Sequence, residues 1–229
     1  MATTPVDVNA LIRGNARLVY SAAQDLQPVL GDGAEVLVVQ ALPPLAELVK
    51  LGNSWQALYQ TGVAATTAVP TTTSLLSLTN GETGANAKSY LIETFGTYEG
   101  VVDATQTDVT MIMAMLNKSG SANPSAGTVV TTANGAIQSL SGKGSYGGNA
   151  TIRSAATVVN DGWFPHQTIG SMAAAAAGAN FKVNEVFCNG LYIVRPGGAF
   201  SLYAVKAAAA AALQQFAFVR WHEVQLNLG

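Results

Sequence analysis

Charge is scarce in this sequence. Only 10% of its 229 residues are Asp, Glu, Lys or Arg, against about 25% in an ordinary soluble domain. The 11 basic and 13 acidic residues leave a formal net charge of −2, and no block of one sign occurs. Nucleic-acid binding through a basic patch is therefore not expected, because neutralising phosphates takes clustered Lys and Arg. Cysteine is nearly absent. A single Cys188 excludes an intramolecular disulfide and reads as a small buried hydrophobe rather than a reactive thiol. There are two histidines, His166 and His222. Neither has Cys, His or carboxylate partners at metal-ligand spacing, so no metal or other cofactor is expected. Long apolar runs are missing too. No stretch approaches the roughly 20 residues of a membrane span, so no membrane partner is expected. The opening "MATTPVDVNALIRGN" has no basic region ahead of an apolar core and does not read as a secretory signal.

What is present is alanine, threonine and glycine, with hydrophobic residues at 49%. A surface this poor in charge is expected to be partly covered by neighbouring subunits or another protein. The chain is long enough to bury a full core without disulfides or a metal. Residues 1–34 read as an N-terminal arm or short helix, with Val8, Leu11, Ile12 and Val19 at roughly helical spacing and Asp7 as a cap. Residues 35–229 read as one domain. Val36 to Gln40 is a strand candidate. Pro43 and Pro44 break it, and Leu45 to Leu51 is either one helical turn or a second short strand, ended by Gly52.

From Ser54 onward, strand signals dominate. In "SWQALYQ", Trp55, Ala57 and Tyr59 alternate with Gln56, Leu58 and Gln60. Further strands are expected at Ser74 to Leu78, Tyr90 to Phe95, Val109 to Leu116, across "ATIRSAATVVN", across the segment from Ala179 to Val205, and at Phe216 to Leu226. Asn80-Gly81 and Asn189-Gly190 are hairpin signals. Arg195 to Gly198 reads as a turn. A short hairpin is expected between Thr128 to Ala133 and Ala136 to Leu140. The methionine row Met111, Met113 and Met115 is expected on a core face. Many short strands between Gly, Asn and Pro turns point to an all-β, antiparallel β-sandwich. The runs Ala173 to Ala177 and Ala207 to Ala212 are too short to stand alone as helices, which need roughly 12 to 15 residues. Ala207 to Ala212 is instead expected to line the close axis of an oligomer, where bulk is multiplied by the number of copies.

No catalytic constellation emerges. Arg220 and His222 fall on one face of the last strand, Trp221 and Glu223 on the other, and His222 is expected to be structural. His166 in "WFPHQ" is expected to cap the core. "RPGG" lacks the pattern and the lysine of a phosphate cradle, and neither a "GxSxG" nor an "HExxH" motif occurs. No catalytic, cofactor-binding or metal-binding residue is therefore assigned.

Three stretches together resemble the jelly-roll virion proteins of tailed bacteriophages. They are "SWQALYQTGVAATTAVPTTTSLLSLTNGE", "SYLIETFGTYEGVVDATQTDVTMIMAML" and "GLYIVRPGGAFSLYAVKAAAAAALQQFAFVRWHEVQL". The likeness spans roughly Ser54 to Leu226, with a P-T-T-T segment leading to N-G-E and a closing P-G-G…W-x-E. It implies an antiparallel jelly-roll sandwich similar to tumour-necrosis-factor-like domains. It further implies a non-enzymatic homotrimer that decorates or cements a capsid, contacts the major capsid protein or another virion protein, and resides in virions assembled in the host cytoplasm. Residues 1–34 would attach it. The alternative expectation is a receptor-binding, fibre or spike head module for host-surface glycan, with Trp163, Phe164 and Tyr146 as aromatic contacts.

Overall fold

The computed structural model describes residues 28–31, 34–37, 44–64, 67–69, 72–101, 108–118, 120–131, 135–142, 144–171, 180–206 and 213–226. Both alanine runs, and the helical pattern read in residues 8–19, lie outside the described residues. The chain separates into two compact units, 1–44 and 45–229. In the first, β1 (Pro28–Gly31) and β2 (Ala34–Leu37) form an antiparallel ribbon with Gly31 opposite Ala34.

A short helix, α1 (Pro44–Lys50), leads into the second unit. Proline is suited to a first helical turn, where no intrahelical N–H is needed. The helix ends in a Schellman motif: Asn53 N–H donates to Leu48 C=O, Gly52 N–H donates to Val49 C=O, and Gly52 takes φ +75°. The strands that follow are β3 (Ser54–Tyr59), β4 (Val63–Ala64), β5 (Leu76–Asn80), β6 (Ser89–Val101), β7 (Asp108–Leu116), β8 (Thr128–Val129) and β9 (Gly135–Ser139). They continue with β10 (Ala150–Ser154), β11 (Phe164–Ser171), β12 (Asn180–Val194), β13 (Ala199–Lys206) and β14 (Leu213–Val224).

These strands make an all-β sandwich of two antiparallel sheets. One runs β11-β7-β13-β5-β10-β8. The other runs β12-β6-β14-β3-β9, with β4 also on β14. Pairing is nested. Leaving aside β4 and β8 to β10, the first strand pairs with the last (β3 with β14), the second with the next to last (β5 with β13), then β6 with β12 and β7 with β11. The connection from β7 to β11 carries β8, β9 and β10, which extend the opposite side of both sheets beside β3 and β5.

Alternation fills the space between the sheets. Trp55, Ala57 and Tyr59 of β3 face Leu76 and Leu78 of β5, Ile112 and Ala114 of β7, and Phe200 and Leu202 of β13 in one buried cluster. Phe95 meets Phe200 edge-on across the gap, with ring centroids 5.0 Å apart, and Tyr192 packs on Phe200 at 5.3 Å. Each such ring contributes about 1.5–3 kcal/mol by burial.

Four expectations need correction. The methionine row lies on the other face of β7 from the core residues Ile112 and Ala114. The strand reads Thr-Met-Ile-Met-Ala-Met-Leu, so both of its faces are apolar and alternation alone cannot choose between them. Met113 and Met115 are still buried. The Asp161 N–H approaches Met115 Sδ at 3.2 Å, and Trp163 packs on Tyr203 of the adjacent strand. The loop after β10 thus covers this face. Asn80-Gly81 turns no hairpin, because β5 and β6 belong to different sheets. The Asn80 side chain instead donates to the Lys88 and Val194 carbonyls, stitching three chain segments. Asn189-Gly190 lies within β12, at a four-residue bulge between Phe187 and Tyr192. The expected hairpin after Thr128 is two strands in separate sheets, β8 and β9. The turn at Arg195 to Gly198 is as expected: Gly198 N–H donates to Arg195 C=O, and Gly197 takes φ +73° after Pro196.

Phe200 links the two sheets through Phe95 and Tyr192. Phe200→Ala should lower the free energy of unfolding by about 3–5 kcal/mol. Val159→Ala, at an exposed position, should stay within about 0.5 kcal/mol. Urea denaturation of both variants checks the contrast.

Candidate functional site

Three polar constellations stand out against the apolar interior, and strand β14 supplies two of them. On its outward face, His222 lies opposite Ser54 of β3, and Ser54 Oγ is 2.6 Å from His222 Nδ1. On the other flank, Nε2 lies 3.2 Å from Glu93 Oε2. That contact is too far off line for a hydrogen bond and acts as an electrostatic one. Glu93 arrives there because β6 bulges. Arg220 pairs with Thr94 but Trp221 pairs with Ile92, which leaves Glu93 as the extra residue. The bulge also reverses the phase of β6. Tyr90 and Ile92 face inward before it, Phe95 after it.

Ser, His and Glu in a row suggest a nucleophile, a base and an orienting acid. The chemistry fails on access. Ser54 is 0% exposed and His222 1%, so no acyl group reaches Oγ, and nucleophilic catalysis needs the attacking oxygen open to its substrate. As a neutral group with its proton on Nε2, the imidazole accepts from Ser54, and its Nε2–H has only the electrostatic contact to Glu93. Burial pulls its pKa below the ordinary 6.5, and Glu93 opposes that shift only in part.

The second constellation is on the inward face of β14. The Glu223 side chain is 2% exposed and pairs with Lys88 Nζ at 3.0 Å. Tyr146 OH donates to Glu223 Oε1 at 2.6 Å and accepts from the Ala150 N–H at 2.9 Å. Trp221 Nε1 lies 3.5 Å from the same carboxylate oxygen. Burial, then the bond to Glu223, pushes the Tyr146 hydroxyl far above its ordinary pKa, so it stays protonated as the donor. Gly148 makes room for this contact, since a Cβ there would lie 2.4 Å from Tyr146 OH. The cluster is a lock that ties the "SGKGSYGGN" loop to the core. The Glu223 carboxylate at its centre is closed to solvent.

The third is His166, the extra residue at a bulge in β11 between Pro165 and Gln167. It bonds Tyr192 OH, meets Phe95 edge-on at 5.4 Å, and is held below its usual pKa by burial. It plugs the gap between the two sheets at the β11/β12 side, in line with its expected role as a cap. Cys188, half-buried, packs against the hydrophobic core, and burial pushes its thiol up to about 12. It is an inert thiol at neutral pH, as the sequence suggested.

The aromatic residues expected to meet glycan are not brought together. Tyr146 packs edge-on against Trp55 at 4.7 Å, and Trp163 packs on Tyr203 at 6.1 Å. Phe164 is 64% exposed, beside Phe187 at 64% and Leu191 at 72% on the neighbouring edge strand β12. Sequence reading missed a different surface, the outward face of the β12-β6-β14-β3-β9 sheet. A groove of about 320 Å³ crosses it, lined by Gln56, Leu58, Tyr98, Gln138, Glu185, Phe218 and Arg220 among others. The signal was available in the other half of each alternation, Gln56 and Leu58 on β3 and Arg220 on β14. Among the described residues, no cluster of three or more His, Cys, Asp or Glu is placed to hold a metal ion, and no helix is long and apolar enough to cross a membrane. No protein-family model matches the chain, and no curated protein matches it.

Two outcomes are expected. Tyr146→Phe leaves a buried carboxylate oxygen and the Ala150 N–H without their partner. It should cost about 2–3 kcal/mol in chemical denaturation, because hydrogen bonds to charged groups carry that weight. The second concerns pH. His222 and His166 both have folded pKa values below the ordinary 6.5, so the unfolded chain takes up these protons first. The stability they support is present above pH 6.5 and lost as the pH falls below it. The melting temperature should therefore drop on acidification below that point, and His222→Gln should flatten the drop in circular dichroism melts.

Proposed function

We propose that this chain is a non-enzymatic virion structural protein, a jelly roll that decorates or cements the capsid of a tailed bacteriophage as a homotrimer. The nested pairing of β3 with β14, β5 with β13, β6 with β12 and β7 with β11 supports the jelly-roll reading, since a long hairpin rolled into two sheets has that order. The buried state of Ser54 and His222 supports a role without catalysis.

The observation that carries the assembly reading is the apolar edge. Strands β11 and β12 end the two sheets on the same side of the sandwich. Phe164, Phe187, Leu191 and Val183 are all exposed there. Single exposed apolar residues need no explanation, but a group of large ones on one side marks a contact surface. Backbone pairing is not the mode of contact. Pro165 lacks an N–H, and the four-residue bulge interrupts β12, which are devices that keep edges from extending into further sheets. Side chains of this edge therefore make the contact with a neighbouring subunit. A chain with 10% charged residues suits a surface that is covered after assembly.

Light scattering should give three times the chain mass for the wild type. The double substitution Phe187→Asp with Leu191→Asp should give a folded monomer. A monomeric wild type at high micromolar concentration refutes the trimer. Antibody labelling of purified virions of the encoding phage should show regular capsid positions, and virions without label refute the capsid role.

A further inference from the structure

We propose that the groove on the outward face of the β12-β6-β14-β3-β9 sheet binds a short, neutral oligosaccharide. The inference does not depend on the capsid reading; of the exposed apolar residues at the β11/β12 edge, Val183 lines this groove, while Phe164 and Leu191 do not.

The face is built in rows that cross the strands. In one row, Gln138, Gln56 and Arg220 stand opposite one another on β9, β3 and β14. They are joined in a chain: Gln56 Nε2 donates to Gln138 Oε1 at 3.1 Å, and Arg220 Nε donates to Gln56 Oε1 at 3.2 Å. Arg220 Nη1 then reaches Glu185 Oε1 on β12 at 3.4 Å. The next row is Ala136, Leu58, Phe218 and Gly96. The row beyond it holds Phe216 and Tyr98, whose rings stack nearly parallel, 4.5 Å apart and 6° from coplanar. A band of amide and guanidinium groups thus runs beside a band of half-buried aromatic rings.

A pyranose ring has the matching chemistry. One face is C–H and stacks on aromatic rings. Its rim carries hydroxyls, each both donor and acceptor, which suit groups that offer the same pair. Binding clefts join an apolar wall to a few placed polar groups in this way. The internal chain of hydrogen bonds fixes Gln56 and Arg220 in position and leaves Gln138 Nε2, the remaining Arg220 N–H groups and Glu185 Oε2 for a ligand. Charge selects the class. The Arg220 cation is offset by Glu185, so the groove offers no net charge to an acidic sugar, a phosphate or a nucleic acid. Volume selects the length. About 320 Å³ is at the small end of ligand clefts, which run from about 300 to 1,000 Å³. Gly96 shapes the floor. Its Cβ, if present, would lie 2.9 Å from Phe218 Cζ and far inside contact distance of the Asn184 carbonyl oxygen, so only glycine lets the Phe218 ring lie across β6.

The test is an array of neutral gluco-, galacto-, manno- and N-acetylhexosamine oligosaccharides, with sialylated and sulfated arms. Titration calorimetry of the wild type, Gln138→Ala and Tyr98→Ala then follows on the best binder. At least one neutral series should bind, and each substitution should weaken it about tenfold with melting temperature and oligomer mass unchanged. Gln138 is exposed, so its variant decides the matter if Tyr98→Ala proves unstable. The proposal is overturned by any of four results: no neutral saccharide bound at millimolar concentration, acidic arms bound alone, affinity indifferent to Gln138→Ala, or a change of oligomer mass in that variant. The last would make the face a contact between subunits.

Discussion

Strand β14 has to satisfy two neighbours and two faces at once, and most of what distinguishes this protein hangs from that constraint. It is hydrogen-bonded to β6 on one side and β3 on the other, so its period of two is enforced along its length. Ala217, Val219, Trp221 and Glu223 go inward. Phe216, Phe218, Arg220 and His222 go outward. A slip of one residue would exchange these sets, putting Arg220 in the core and Trp221 in the groove. The strand itself keeps phase from end to end. Where the twist of the sheet has to be accommodated, it is β6 that absorbs the extra residue, at Glu93. That choice brings a carboxylate to His222, while the inward alternation of β14 brings Trp221 and Glu223 to the Tyr146 loop.

The burial of Glu223 illustrates how a polar group is tolerated in such an interior. An isolated carboxylate there would be too costly to keep ionised. Here a cation, a phenol and an indole converge on its two oxygens, from the start of β6, the loop before β10 and β14 itself. Lys88 remains 38% exposed, so its ammonium keeps part of its hydration while it neutralises the carboxylate. The arrangement adds little to net stability over an apolar packing of equal shape, because desolvation offsets attraction. Its effect is on geometry. It fixes the glycine-rich loop together with the Gln138–Ser145 bridge and the bond from Asn149 Nδ2 to Glu82.

Much of the fold was legible because alternation is a strong signal when one face is apolar and the other is not. The strand Ser54–Tyr59 and the face assignment of Trp221 against His222 followed directly. The same rule failed at β7, where methionines and aliphatics fill both faces. It also failed at Asn80-Gly81 and Asn189-Gly190, because the conformational freedom that makes this dipeptide a good hairpin turn serves a crossover between sheets and a bulge equally well. Strand β11 was missed altogether. Pro165 and His166 interrupt its pattern, and only the pairing with β7 shows that it is an edge strand whose bulge turns the histidine into the gap. Of the site, the unreactive character of Cys188 and the capping role of His166 could be read in advance, although the thiol is half-buried rather than buried. The approach of Glu93 to His222 could not, since it depends on one extra residue in a strand that pairs more than 100 positions away.

The two outward faces of the sandwich differ in a way that bears on where ligands and partners meet it. The face carrying Met111, Met113 and Met115 is roofed by the protein's own loop, with Asp161 held by Asn117, Lys118 and Ser121, so its apolar residues need no further cover. Among the described residues, no loop is held in this way over Leu58, Tyr98 and Phe218 on the opposite face, which places an ordered row of amides and one balanced ion pair among them. An antiparallel sheet turned to water normally carries polar side chains on that face. A purely apolar face would favour indiscriminate association, and a purely polar one would leave no reason for the aromatic rings. Ordered polarity beside aromatic surface restricts the occupants to those able to match both at once, and it is this restriction, more than area or volume, that gives the face its selectivity.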